Sequence, residues 1–75
     1  MKQRAARRRI LKAGTIEFGR GAFSCAVKDR SDGGAKLEVP STIGIPENFI
    51  LVTDGSRRPC RVLWRKATWI GIAFD

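Results

Sequence analysis

Two short stretches of the chain contain side chains whose types and spacing could bind a polar ligand. One is the arginine-rich run over residues 4–9, and the other runs from Asp29 to Gly34 and contains a carboxylate, a hydroxyl and two adjacent glycines. Arginine can pair with the O6/N7 edge of guanine through two hydrogen bonds, and it also bonds phosphate oxygens and stacks on bases. A carboxylate and a hydroxyl suit the N–H edge of guanine, and glycine allows a flat ligand to approach the backbone closely.

The spacing within each stretch defines a motif, although neither motif is specific by itself. Arg4 and Arg8 are four residues apart, and Asp29, Ser31 and Gly34 follow the pattern Asp-x-Ser-x-x-Gly. Arginine pairs at this interval arise readily in a chain with 15 Lys and Arg residues, and Asp and Ser commonly shape turns. The combination is informative because the two motifs occur in this order, each beside a strand-like run.

In this order, the two motifs resemble the paired signature of the PilZ domain, a bacterial receptor module for cyclic di-GMP. The resemblance extends over nearly the whole chain, since Gly71-Ile-Ala-Phe74 is similar to the end of the closing hairpin of a PilZ barrel. It implies that the motif arginines lie on the segment that enters the barrel and fold over the ligand. The ligand-binding residues that it implies are Arg4, Arg8, Asp29, Ser31 and Gly34, with Arg7, Arg9 and Gly33 as additional contacts.

The register of the arginine motif is open, because arginines also occupy positions 7 and 9. A register that uses Arg7 or Arg9 as the second arginine would place Gln3 or Ala5 in the first arginine position. The arginine run is also compatible with a solvated basic arm, and the Asp29 motif with a turn that only shapes a hairpin. The turn interpretation and the ligand-binding interpretation of that motif are compatible with each other.

The composition indicates one small, basic, globular domain. The chain has 75 residues, of which 43% are hydrophobic, and its net charge is +8, so an anionic partner is expected. The basic residues cluster in two segments that contain no acid, residues 1–12 and residues 57–66. Cyclic di-GMP, nucleic acid and an anionic membrane surface would each account for this charge.

The residue types argue against several classes of function. The chain has no histidine, and its two cysteines, Cys25 and Cys60, lack metal-site spacing, so zinc sites and Ser-His triads are not expected. The acids show no pairing that would suggest acid–base catalysis, and we expect no enzyme activity and no cofactor. No apolar run is long enough for a transmembrane segment and no secretory signal is evident, so we expect a cytoplasmic protein with two buried, reduced thiols.

Alternation of apolar and polar residues predicts an all-β protein with six strands. The strands are expected near residues 12–18, 22–29, 35–39, 48–53, 58–66 and 69–74, separated by glycine-rich turns and by a longer loop over residues 40–46. Six short strands without a helix favour a small antiparallel, PilZ-like barrel. We expect a flexible basic arm over residues 1–9 and a single barrel domain over residues 10–75.

The two tryptophans flank the final hairpin. Trp64 alternates with Val62 and Cys60, so it is expected in the core. Trp69 shares a strand face with Gly71 and could pack on the barrel or serve as a stacking platform for a base.

Three functions are consistent with the sequence. The first is a receptor and adaptor that binds cyclic di-GMP without chemistry and signals to a downstream protein through ordering of its arm. The second is a degenerate PilZ-like module that binds a protein and no nucleotide. The third is a small basic barrel that binds RNA or DNA.

Overall fold

Six antiparallel strands joined by short connections account for most of the chain that the structure describes. The computed structural model describes residues 8–75, with side chains from residue 12 onwards. The strands are β1 (Arg8–Phe18), β2 (Gly21–Arg30), β3 (Gly34–Glu38), β4 (Asn48–Thr53), β5 (Ser56–Lys66) and β6 (Trp69–Phe74). Over this range, no helix is long and apolar enough to cross a bilayer.

The strands close into a barrel in the order β1-β2-β3-β6-β5-β4. The closing contact is between β1 and β4, where Ile16 pairs with Leu51. Closure gives each strand two neighbours, so the backbone groups of the sheet are satisfied within it. The predicted all-β, six-stranded antiparallel barrel is therefore confirmed.

The core consists of the inward-facing residues of all six strands, together with two residues of the β3–β4 connection. Ile16, Val27, Leu37, Leu51 and Ile70 are at most 1% exposed. Both cysteines join this core as free thiols, as the sequence predicted. The remaining buried apolar residues are Val39, Ile45, Phe49, Val62 and Ile72.

The turns follow the local sequence. Asp54 and Gly55 connect β4 to β5, and both have positive φ, 53° and 75°. Positive φ at both central residues is the requirement of the type I′ hairpin turn that Asp-Gly favours. Ala67, in the β5–β6 turn, also has positive φ, 54°, in a region that a residue with a Cβ seldom adopts.

The strand boundaries agree with the sequence expectation except at the start of β1. β1 begins at Arg8, several residues earlier than expected, because it continues to pair with the end of β2 beyond an irregularity between Arg9 and Lys12. Arg8 and Arg9 of the predicted arm therefore lie in β1. The rest of the predicted arm, residues 1–7, lies outside the described residues.

Two further irregularities interrupt the β2–β3 and β5–β6 ladders. Lys28 is an extra residue of β2 opposite β3, and Leu63 is an extra residue of β5 opposite β6. A bulge of this kind reverses the inward and outward alternation of the residues that follow it. Both bulges lie beside the cleft described next.

Candidate ligand-binding cleft

One open cleft on the outside of the barrel contains the Asp-x-Ser-x-x-Gly motif. Its volume is about 370 Å³, within the usual range of small-molecule sites. It lies across β2, β3, β6 and β5, at the β2–β3 turn. The lining residues are Asp29, Arg30, Ser31, Gly33, Gly34, Ala35, Lys36, Leu63, Trp64, Gly71 and Ile72.

The turn between β2 and β3 holds the motif in place. The Ser31 N–H donates to the Gly34 carbonyl at 2.9 Å, and the Ser31 hydroxyl makes a longer contact of 3.5 Å with the same oxygen. The Gly33 carbonyl accepts from the Phe74 N–H at 2.9 Å, which ties the turn to β6. The motif therefore has a structural role in the turn as well as a place in the cleft.

The two motif glycines serve different purposes. A Cβ at Gly34 would overlap the carbonyl oxygen of Ile72, so close contact between β3 and β6 requires a glycine there. A Cβ at Gly33 would meet nothing within 4 Å. Neither residue has positive φ. Gly33 thus leaves open space at the edge of the cleft, which a ligand could approach.

A row of outward-facing residues crosses the cleft from β2 to β5. Asp29 pairs with Lys36, Lys36 pairs with Gly71, and Gly71 pairs with Trp64. Directly paired residues point to the same face of a sheet. The row therefore combines, in this order, a carboxylate, an ammonium group, a glycine without a side chain and an indole.

The prediction that Trp64 lies in the core is wrong. Trp64 is 44% exposed, because the bulge at Leu63 breaks the alternation with Val62 and turns the indole outward. The indole lies against the backbone of Gly71, where any Cβ would overlap its Nε1, Cε2 and Cδ1 atoms. The sequence offered one signal for this arrangement, a glycine within a strand, which often marks close approach by another group.

Cationic groups and aromatic rings lie together along the cleft and beyond it. The Lys36 ammonium lies 4.6 Å from the centre of the Trp69 ring, on the outer face that Trp69 was predicted to share with Gly71. The Arg30 guanidinium lies 5.1 Å from the centre of the Phe74 ring. These distances are typical of cation–π contacts. Lys36 lies on the outer face with Gly71. Arg30, in contrast, pairs with Ala35 and lies over Phe74, both of which pack against the core.

The backbone register brings the start of β1 to the Asp29 motif. Arg9 pairs with Asp29, and Arg8 pairs with Arg30. The backbones of Arg8 and Arg9 therefore lie beside the cleft. The other arginines of the predicted site, Arg4 and Arg7, lie outside the described residues.

The basic cluster over residues 57–66 is partly neutralised by acids from other parts of the chain. Arg57 pairs with Glu17 at 2.8 Å. Arg61 bonds Asp75 at 3.0 Å, and Arg65 approaches Glu47 at 3.9 Å. The sequence alone shows no acid in this cluster, because the compensating carboxylates come from β1, the β3–β4 connection and the end of the chain.

A second open cleft has a volume of about 460 Å³ but a different chemistry. Its lining includes Cys25, Val39 and Pro40, and its one charged residue is Glu38. It suits an anionic ligand less well than the cleft at Asp29, which has two cations in its wall.

The two thiols are the groups of the described chain whose pKa values are clearly shifted. Burial raises the pKa of the Cys25 thiol to about 11 and, together with the nearby Asp75 carboxylate, that of Cys60 to about 12. Such thiols are protonated near neutral pH and are poor nucleophiles. Among residues 8–75, no group of three His, Cys, Asp or Glu side chains could hold a metal ion.

Comparison with known proteins assigns the chain to no family. No protein-family model matches it, and no curated protein is significantly similar to it in sequence. The functional argument therefore depends on the chemistry and geometry of the cleft.

Proposed function

We propose that the protein is a non-enzymatic receptor for cyclic di-GMP, like the PilZ domains that its motifs resemble. The observation that carries the proposal is that Asp29, Ser31, Gly33 and Gly34, selected from the sequence, all line one cleft. A turn that only shaped a hairpin would not require a cleft of ligand size beside it.

The chemistry of the cleft suits a ligand that has both guanines and phosphates. The Asp29 carboxylate and Ser31 hydroxyl match the N–H edge of guanine. Lys36, which lies on the outer face of the cleft wall with Gly71, provides positive charge for phosphate. The net charge of +8 favours the encounter with a small dianion.

The start of β1 suggests how binding could produce a signal. Arg8 and Arg9 pair with residues of β2 at the cleft, so a ligand there lies close to the point where the basic N-terminal segment joins the barrel. We expect phosphate and guanine to draw the arginines of that segment over the ligand. Fixing a segment on ligand binding is a common way to present a new surface to a downstream protein.

Single-stranded nucleic acid is the alternative that the surface also supports, because Trp64 is exposed and Trp69 is flanked by lysines. The ion pairs of Arg57, Arg61 and Arg65 weaken this alternative, since they reduce the charge available to a polyanion. A degenerate module that binds only protein would not account for the carboxylate, hydroxyl and cationic groups that line the cleft.

The exchange Asp29→Asn, with Asp32→Asn as its control, tests the proposal. Both variants remove one negative charge from the same hairpin, but Asp29 lines the cleft and the exposed Asp32 does not. A charge-assisted hydrogen bond contributes about 1.5–3 kcal/mol. Asp29→Asn should therefore weaken cyclic di-GMP binding by roughly 10- to 100-fold in calorimetry, while Asp32→Asn changes it little.

The direction of the effect is diagnostic. A carboxylate that only repelled the phosphates would give tighter binding when it was neutralised. Tighter binding by Asp29→Asn, or equal effects of the two variants, would contradict the assigned role of Asp29.

A further inference from the structure

The cleft contains an aromatic wall that neither sequence motif includes. Trp64 lies on β5, opposite Asp29 across two intervening strands. Along the curved sheet, three strand spacings of about 4.8 Å, roughly 14 Å in all, lie between the two backbones. The tryptophan and the carboxylate therefore face different parts of a ligand in the cleft.

Two features place the indole at the cleft instead of in the core. The bulge at Leu63 turns Trp64 to the outer face. Gly71 leaves the space into which its indole fits, because any larger residue would overlap three atoms of the ring. The resulting arrangement leaves 44% of Trp64 exposed beside the cleft.

Pairing of an aromatic residue with a strand glycine can by itself stabilise a sheet. For that role, it is enough that the indole packs over the backbone of Gly71. Here the indole also lines a ligand-sized cleft, and the row that it ends contains Lys36 and Asp29. An exposed indole in the same cleft as a lysine is a suitable surface for a base joined to a phosphate.

We propose that Trp64, seated on Gly71, is the platform on which a base of the bound nucleotide stacks. The inference rests on the proposed function and extends it, because it assigns a binding residue on a strand distant from both motifs. Base stacking on an aromatic side chain tolerates different bases. Trp64 therefore contributes affinity, and Asp29 and Ser31 contribute the preference for guanine.

The chain has two tryptophans, Trp64 and Trp69. When Trp69 is replaced by phenylalanine, the tryptophan fluorescence comes from Trp64 alone. In the Trp69→Phe variant, titration with cyclic di-GMP should quench the emission saturably, with the same midpoint as calorimetry. In the matched Trp64→Phe variant, the emission of Trp69 should change much less.

Affinity measurements separate stacking from a purely structural role. Trp64→Ala should weaken binding roughly 5- to 150-fold, the value of one base–aromatic stack. Trp64→Phe should retain most of the affinity, since phenylalanine also offers a ring to the base. Thermal unfolding of both variants shows whether the barrel is intact.

The outcomes distinguish this inference from the proposed function. In one outcome, calorimetry detects binding of cyclic di-GMP, the emission of Trp64 is not quenched, and Trp64→Ala binds with full affinity. This result overturns the proposal that Trp64 is a stacking platform and leaves the receptor proposal standing. Saturable quenching of Trp64 by GMP, with no binding of cyclic di-GMP, supports the platform and overturns the receptor proposal. Neither quenching nor heat with either nucleotide overturns both.

Discussion

Asp29 and Ser31 show how much a short motif can predict at the scale of single residues. The sequence placed a carboxylate and a hydroxyl together with two glycines, and the structure brings all four residues to one cleft. Residues that are close in sequence and joined by a tight turn must remain close in space. Local spacing was therefore enough to predict that these residues lie together, whereas ligand binding by them stays a prediction.

Trp64 shows the limit of the same reasoning. Its alternation with Val62 predicted burial, but one extra residue at Leu63 reverses the face on which it lies. A bulge depends on the register between two strands, which a local pattern does not reveal. The contribution of Trp64 and Gly71 to the cleft could not be predicted for this reason.

The arginine register is the first prediction at this scale. Replacement of one ligand-binding arginine removes a charge-assisted contact, so Arg8→Ala should weaken cyclic di-GMP binding by about 10- to 100-fold. Calorimetry on Arg7→Ala, Arg8→Ala and Arg9→Ala measures this directly. A larger loss in Arg7→Ala or Arg9→Ala would shift the motif register without affecting the description of the barrel.

The buried thiols predict a loss of stability at alkaline pH. The pKa of Cys25 is raised from the usual 9.0 to about 11, and that of Cys60 to about 12. Above pH 9 the unfolded chain loses thiol protons that the folded chain retains, so the stabilisation is complete below pH 9 and is lost as the pH rises towards 11–12.

Denaturant unfolding between pH 8 and pH 11 tests this effect. The free energy of unfolding should fall by up to roughly 1.4 kcal/mol per thiol for each pH unit. A Cys25→Ala/Cys60→Ala double variant should lose this component of the decline. An identical pH dependence in the two proteins would contradict the raised pKa values.

At the scale of elements, the contact between β3 and β6 explains why Gly34 is a glycine. A Cβ at this position would overlap the carbonyl of Ile72, a backbone group that cannot move without disturbing the pairing of β3 with β6. Gly33, its neighbour, has open space around it. Alanine substitutions at the two glycines therefore test the β3–β6 contact, with Gly33 as the control for Gly34.

Gly34→Ala should destabilise the barrel, whereas Gly33→Ala should not. Overpacking costs about 1–3 kcal/mol, which corresponds to a fall in Tm of roughly 4–20 °C for a domain of this size. Gly33→Ala should leave Tm unchanged or slightly higher, because alanine restricts the unfolded chain more than glycine does. Thermal unfolding monitored by circular dichroism compares the two variants. Equal Tm values would contradict the close contact between Gly34 and the carbonyl of Ile72.

The strands themselves were predictable, because each alternates apolar and polar residues and ends at a turn with its own chemistry. Asp54 and Gly55 identified one hairpin from two residues. The early start of β1 was not predictable, since Arg8 and Arg9 carry no apolar periodicity. Their place in the strand comes from pairing with Arg30 and Asp29, which is a tertiary contact.

At the scale of the whole molecule, the structure shows which of the basic residues behind the net charge of +8 are paired with acids. Three arginines of β5 are paired with acids from distant positions, while Arg30 and Lys36 lie in the wall of the cleft. Among residues 12–75, the fold therefore distributes the positive charge unevenly, and the proposed preference for a small anion over a long polyanion stays a prediction.

Calorimetric titration of the unmodified protein with cyclic di-GMP at 50 mM and 200 mM salt tests the central claim most directly. The receptor account predicts saturable heat with one cleft occupied. The affinity should fall no more than about ten-fold between the two salt concentrations, because the ligand presents only two phosphates. Absence of heat with excess cyclic di-GMP at 50 mM salt would contradict the account. Binding of single-stranded nucleic acid in its place, with a loss of about 10³-fold or more over the same range, would identify a polyanion as the partner.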